Sequence, residues 1–73
     1  MKISDALIRE FAYCEDRMHS ARGDECSVDH AYYLGKCVAI ADALSIIHGK
    51  DWLTAHNALS MGAYHMRRNN AAA

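Results

Sequence analysis

Apolar residues recur every three or four positions in three stretches of the chain, which predicts three amphipathic helices. The first helix is predicted over residues 5–22, with Ser4 as its N-cap, Asp5 in its first turn and Gly23 after its end. Alternating steps of four and three are typical of a helix that packs along another helix. The positions at this spacing are Leu7, Phe11, Cys14, Met18 and Ala21.

The second stretch, residues 28–48, is apolar along two stripes rather than one. Ser27 or Asp24 is its predicted N-cap, and Gly49 ends it. The short connection makes the first two helices antiparallel neighbours. A helix that is apolar on two sides needs cover on two sides. One stripe holds Tyr33, Cys37, Ile40, Leu44 and Ile47; the other holds Ala31, Leu34, Val38, Ala41 and Ser45.

The third helix is predicted over residues 52–67, with Asp51 as its cap, and residues 69–73 as a C-terminal tail. Asn57 and Gly62 lower its helix propensity. Its predicted inward side is Trp52, Ala55, Leu59, Gly62, Ala63 and Met66, and its outward side includes His56. The pattern therefore predicts an all-α fold with a single domain over residues 1–68, an antiparallel helical hairpin plus a third short helix.

The second helix also indicates a second copy of the chain. The first helix offers one narrow apolar side and the third offers mostly small side chains, so a homodimeric helical bundle is the simplest remaining cover. Asp42, alone among acids between residues 31 and 47, is interpreted as an exposed or ion-paired carboxylate, or alternatively as a residue that sets recognition or register. The predicted dimer or helix-packing residues are Leu7, Phe11, Gly35, Val38, Ala39, Asp42, Ala43 and Ile46.

Charge and cysteine content narrow the function classes. Eight basic and nine acidic residues give a net charge of −1, which argues against phosphate-driven nucleic-acid binding. Cys14, Cys26 and Cys37 are odd in number and lack CxxC spacing, which favours reduced thiols and a cytoplasmic location. The most apolar stretch, residues 37–47, contains Asp42 and is short of the roughly 20 apolar residues that a membrane span needs, so no membrane segment is predicted.

No set of side chains predicts a reaction or a cofactor. Cys26 and His30 are one loose pair, whereas zinc sites usually need two close pairs. Cys14, Glu15 and His19 lie on one helix at spacings that point them apart, so they do not form a catalytic triad. The sequence therefore predicts no enzyme activity, no metal and no cofactor.

The aromatic residues favour protein binding, because tyrosine and tryptophan beside arginine are typical contact anchors. A helix-turn-helix over residues 39–58 is the alternative, but its second helix has no arginine or lysine before Arg67. We therefore predict a non-enzymatic protein-binding module, with a DNA-associated transcriptional regulator or accessory subunit as the alternative. The predicted partner-binding residues are Tyr13, Arg17, Tyr32, Trp52, Tyr64 and Arg67.

The plan of the chain resembles a group of phage proteins. Residues 33–35 and 39–44, followed by Trp52, resemble the small helical accessory proteins of temperate bacteriophages. These are the early-region helical hairpins of lambdoid phages and the small phage inhibitors of bacterial regulators. The resemblance covers the second helix and the overall plan, and it implies a dimer in the host cytoplasm that binds and inhibits a host regulatory protein.

Overall fold

A computed structural model describes residues 1–20 and 28–72 of the chain, and over these residues the protein is all-α. The helices are α1 (Asp5–Ser20), α2 (Val28–His48) and α3 (Trp52–Ala72). The predicted end of the first helix at residue 22, its Gly23 stop and the predicted caps Asp24 and Ser27 lie outside the described residues. The same holds for Ala21 and Cys26.

The helix ends follow local chemistry, as the sequence predicts. The N–H of Leu7 donates to the Ser4 hydroxyl at 3.2 Å, and the N–H of Thr54 donates to the Asp51 carboxylate at 2.7 Å. Both bonds satisfy backbone donors that a first helical turn leaves free. Gly49 ends α2 with a φ of 62°, a left-handed conformation that glycine adopts without strain. The N-caps of α1 and α3 and the stop of α2 are confirmed.

The core lies where the three helices meet and is built mostly from small side chains. Phe11 and Leu59 are its largest fully buried apolar residues. Each helix supplies three of its members: Phe11, Ala12 and Cys14 from α1, Cys37, Ala41 and Leu44 from α2, and Ala55, Leu59 and Ala63 from α3. Of the side chains predicted to face inward, Phe11 and Cys14 on the first helix are confirmed as buried. Ala55, Leu59 and Ala63 on the third helix are confirmed as well.

α1 and α3 cross closely because one residue at the crossing lacks a side chain. A Cβ atom on Gly62 would lie 2.8 Å from Cδ1 and 3.1 Å from Cγ1 of Ile8, closer than carbon atoms pack. Ile8 itself packs against the core from the first turn of α1. Glycine at position 62 therefore sets the approach of the two helices.

α3 is longer than predicted and continues through residues 69–72, which the sequence indicated as a tail. Residues 63–72 contain no glycine or proline to stop the helix, and alanine is the strongest helix former. With 21 residues, α3 equals α2 in length. The third helix is therefore not short.

The two predicted stripes of α2 are not both covered. The buried residues are Cys37, Ala41 and Leu44, so the inward side falls between the stripes and takes members from each. The stripe from residue 31 to 45 is largely exposed. The stripe from residue 33 to 47 ends at Ile47, which is 74% exposed. Within residues 1–20 and 28–72, only one side of α2 therefore packs against the other helices.

Candidate functional site

The side of α2 that points away from the core is apolar and exposed. Its midline is Val28, Tyr32, Gly35, Ala39, Asp42 and Ile46, and we refer to these six residues as the α2 outer face. Val28 and Ile46, at its ends, are 82% and 81% exposed. The steps between its members alternate four and three, the spacing of a helix that packs along another helix. A contiguous apolar surface of this kind is typical of an interaction site.

The α2 outer face is narrow at its centre and wide at its ends. No heavy atom of the described residues lies within 4 Å of a Cβ built on Gly35, so a side chain at this position would meet open space. Ala39 follows it one turn later and is also exposed. Such small residues leave room for the backbone of another helix.

The structure divides the predicted packing residues into two groups. Phe11 is buried and Leu7 packs against the core, so both serve the chain's own fold. The other six are all exposed on the outward side of α2: Gly35, Val38, Ala39, Asp42, Ala43 and Ile46. These six lie together on one free side of one helix.

Asp42 is the one charged member of the α2 outer face. No side chain among the described residues forms a hydrogen bond or an ion pair with it. Two cations of the chain have other contacts: Lys36 pairs with Glu10 at 3.2 Å, and Arg17 lies over a tyrosine ring. Asp42 is thus a solvated carboxylate within an apolar surface.

A second surface, which overlaps the α2 outer face at Tyr32, is formed by Tyr13, Tyr32 and Tyr33, and we call it the tyrosine cluster. The ring of Tyr33 lies at its centre, 6.2 Å from the ring of Tyr13 and 5.0 Å from that of Tyr32. Both contacts are edge-to-face, with interplanar angles of 81° and 79°. This is a favourable arrangement for aromatic pairs, and it joins α1 to α2.

Two cations hold the rings of the tyrosine cluster. The guanidinium carbon of Arg17 lies 5.7 Å from the Tyr33 ring centroid, and Nζ of Lys36 lies 5.5 Å from that of Tyr32. Both distances are within the range of cation–π attraction. A hydrogen bond to Glu10, followed by the nearby Tyr32, raises the pKa of Lys36, so its charge is secure at neutral pH.

Of the six predicted partner-binding residues, the structure brings together Tyr13, Arg17 and Tyr32. Sequence reasoning missed Tyr33 as a member of this surface because it was assigned to a packing stripe. The adjacent pair Tyr32 and Tyr33 was the available signal, since neighbouring aromatic residues on a helix point about 100° apart and cannot both face one core.

Trp52 and Tyr64 lie apart from the tyrosine cluster. The indole of Trp52 stacks on His56 at 4.8 Å, and its N–H donates to the Val38 carbonyl at 3.5 Å, so it bridges α3 and α2. His56 also meets the edge of Phe11 at 5.7 Å and is half-buried, although the pattern indicated an outward position. Tyr64 is exposed on α3.

Arg67 is engaged with α1. Its Nη2 atom donates to the backbone carbonyl of Ala12 at 3.1 Å and pairs with Glu15 at 3.2 Å and Asp16 at 3.0 Å. The guanidinium therefore fastens α3 to α1, with its charge balanced by two carboxylates. A partner would have to compete with these contacts.

The described thiols are buried and protonated. Loss of solvation raises the pKa of Cys37 to about 11, and burial followed by the charge of Glu10 raises the pKa of Cys14. A protonated thiol is a poor nucleophile and a poor metal ligand. Within residues 1–20 and 28–72, no three His, Cys, Asp or Glu side chains form a group that could hold a metal ion.

None of the three described helices combines the length and apolar character needed to cross a membrane. A comparison of the chain with protein-family models, curated protein sequences and solved structures finds no match.

Proposed function

We propose that this chain is a non-enzymatic protein-binding module that works as a homodimer and engages its partner through the tyrosine cluster. The observation that carries the partner proposal is the surface grouping of three tyrosine rings with two cations. Tyrosine and arginine are enriched among the residues that supply most of the binding energy at protein interfaces.

The geometry of the cluster favours binding because its rings are held before a partner arrives. Tyr33 is fixed between Tyr13 and Tyr32, and Arg17 lies over its face. Immobilising a flexible side chain on binding costs about 0.5–1.5 kcal/mol, and rings that are already held avoid part of that cost. Tyr13 is exposed, and its hydroxyl group can form a hydrogen bond to a partner.

The partner that we propose is a bacterial regulatory protein, with the chain acting as a phage-encoded inhibitor in the host cytoplasm. Support comes from the resemblance of α2 to small phage accessory proteins. The proposed mechanism is occlusion: the tyrosine cluster occupies a groove or dimer face of the target and blocks its normal ligand. Occlusion needs surface area and rigidity, which a helical platform provides.

Direct DNA binding is less well supported by the charges. Lys36 and Arg67 each pair with carboxylates of α1, so their positive charge is already balanced. The net charge of the whole chain is −1. We therefore treat a DNA-associated role as the alternative that the nuclease control of the following experiment tests.

The test is an affinity pull-down from bacterial lysate with the tagged protein, read by mass spectrometry, with and without nuclease. Tyr13→Ala is compared with Tyr64→Ala, because the two tyrosines are 53% and 52% exposed but only Tyr13 belongs to the tyrosine cluster. We expect the wild type and Tyr64→Ala to recover one host protein in stoichiometric amount. Tyr13→Ala should lose it, with affinity weakened about tenfold or more.

Circular dichroism of each variant verifies that its helices are intact. Equal recovery by Tyr13→Ala would refute the role of the tyrosine cluster. Recovery that disappears with nuclease would instead support the DNA-associated alternative.

A further inference from the structure

We propose that the α2 outer face packs against the same face of a second copy, with the two α2 helices antiparallel about a two-fold axis and Tyr32 of each copy opposite Asp42 of the other. This inference rests on the homodimer of the proposed function and adds its surface, direction and register.

The spacing of the face permits this pairing. Its steps of four, three, four, three and four residues read the same from either end of α2. When two such faces meet head to tail, every member therefore finds a member of the other copy opposite it. The resulting pairs are Val28 with Ile46, Tyr32 with Asp42, and Gly35 with Ala39, each occurring twice.

The chemistry of each pair is complementary. Val28 and Ile46 are the most exposed apolar residues of α2, and this contact removes both from water. Gly35 and Ala39 meet at the centre, where the open space at Gly35 lets the two backbones approach. Large side chains thus close the ends of the contact while small ones form its middle.

The polar pair supplies the charge argument. Asp42 has no partner among the described side chains, and the Tyr32 hydroxyl is a donor on the same surface. In the antiparallel arrangement each phenol O–H donates to a carboxylate of the second copy, a charge-assisted hydrogen bond. The only charge on the α2 outer face is thereby satisfied twice per dimer.

A parallel arrangement pairs every residue with its own copy. Asp42 would then lie opposite Asp42 across a narrow crossing, where two like charges repel, and Tyr32 would find no acceptor. The sequence of the face therefore favours the antiparallel direction.

The size of the contact sets the expected affinity. A helix of 21 residues is about 30 Å long, and the exposed neighbours Ala31, Val38 and Ala43 widen its contact strip. One helix pair of this length falls below the roughly 800 Å² per partner of a standard interface. We therefore expect a reversible dimer with a dissociation constant in the micromolar range.

The strength of the polar pair is tested by sedimentation equilibrium over a range of concentrations. At tens of micromolar we expect twice the chain mass of 8.1 kDa. Tyr32→Phe keeps the ring but removes both hydrogen bonds, so the dissociation constant should rise about tenfold. Tyr64→Phe, on α3, should leave it unchanged. In the Tyr32→Phe background, Asp42→Asn should cause little further weakening, since its partner is already gone.

The antiparallel direction of the two α2 helices is tested by disulfide formation between introduced cysteines, in a Cys26→Ser background. Val28 and Ile46 are eighteen residues apart, about 27 Å along α2, whereas a disulfide needs Cα atoms within about 7 Å. We expect no covalent dimer from Val28→Cys alone or from Ile46→Cys alone. An equimolar mixture of the two variants should form one after mild oxidation.

Each other outcome overturns a defined part of the proposal. Cross-linking of either single variant would show a parallel dimer, and a dimer without cross-links in the mixture would show that another surface is used. A mass of 8.1 kDa at tens of micromolar would exclude the dimer itself. Partner binding is decided separately by the Tyr13→Ala pull-down, so a failure of the dimer and a failure of partner binding can be told apart.

Discussion

Replacing Gly62 by leucine tests whether the close crossing of α1 and α3 limits the stability of the fold. The missing side chain at position 62 leaves space that Ile8 fills, and a Cβ there would already lie 2.8 Å from Ile8. A leucine on a helix leans toward the helix N-terminus, which from position 62 is toward the buried Leu59. It therefore points away from the cleft of about 350 Å³ between the start of α1 and the end of α3.

Two opposing effects determine how much Gly62→Leu changes the free energy of unfolding. Leucine in place of glycine improves helix propensity by about 0.8 kcal/mol. Overpacking costs about 1–3 kcal/mol. We take the upper end because the new Cβ would crowd Cγ1 of Ile8 at 3.1 Å and Cγ2 at 3.3 Å as well as its terminal methyl, and three further leucine carbons follow. The net loss is about 2 kcal/mol, a large fraction of the stability of a domain of this size. For a chain of 60–100 residues this loss lowers Tm by roughly 10 °C.

The measurement is thermal and urea unfolding followed by circular dichroism, with Gly35→Leu as the matched control. Gly35 is also in a helix but has open space around it, so leucine there should raise Tm by a few degrees at concentrations well below dimer formation. If Gly62→Leu stabilised the protein as much as Gly35→Leu, the crossing at Gly62 would not be tight and the reasoning would be refuted.

Two further predictions concern titratable groups. The hydrogen bond from Thr54 lowers the pKa of Asp51 below 3.8, so the cap contributes stability that is present above that pH and lost as the pH falls through the lowered value. Asp51→Asn should keep the cap and remove this acid dependence in unfolding curves, and an unchanged curve would contradict the assignment. Because Cys37 has a pKa of about 11 and is buried, it should react with a thiol reagent at pH 8 far more slowly in the native protein than in urea, measured by absorbance in a Cys26→Ser background. Equal rates would show that the thiol is accessible.

Local signals predicted much of the fold. Ser4, Gly49 and Asp51 mark helix ends because each acts on backbone groups within three residues of itself. The first helix was predictable for a similar reason, since it has a single apolar side and that side includes Phe11 and Cys14. In both cases no knowledge of the other helices was needed.

The inward side of α2 could not be predicted in the same way. Apolar residues surround this helix on most sides, so periodicity alone does not show which side meets α1 and α3. The buried Ala41 and Cys37 came from different predicted stripes. Their choice depends on the packing of small residues such as Ala55 and Ala63 across three helices, which is a tertiary property.

The residues of the candidate site were also hard to predict, because their contacts are made between helices. Tyr13 and Tyr32 are nineteen positions apart, and only the packing of α1 on α2 brings them to one ring cluster around Tyr33. Arg67 looked like a surface anchor in the sequence, but its contacts with Glu15 and Asp16 depend on how far α3 extends along α1. Long-range ion pairs of this kind leave no local pattern.

The two sides of α2 place different demands on mutation. A change at Ala41 or Leu44 disturbs a buried core and should reduce the amount of folded protein in any cell that makes it. A change at Ala39 or Ile46 leaves the core alone, so its effect should appear only where the protein must associate. In a library of variants, selection for resistance to proteolysis should therefore constrain only the buried side of α2. Selection for association should constrain both sides, because an unfolded chain cannot associate. Positions constrained in the second selection but not in the first would therefore mark the interaction surface.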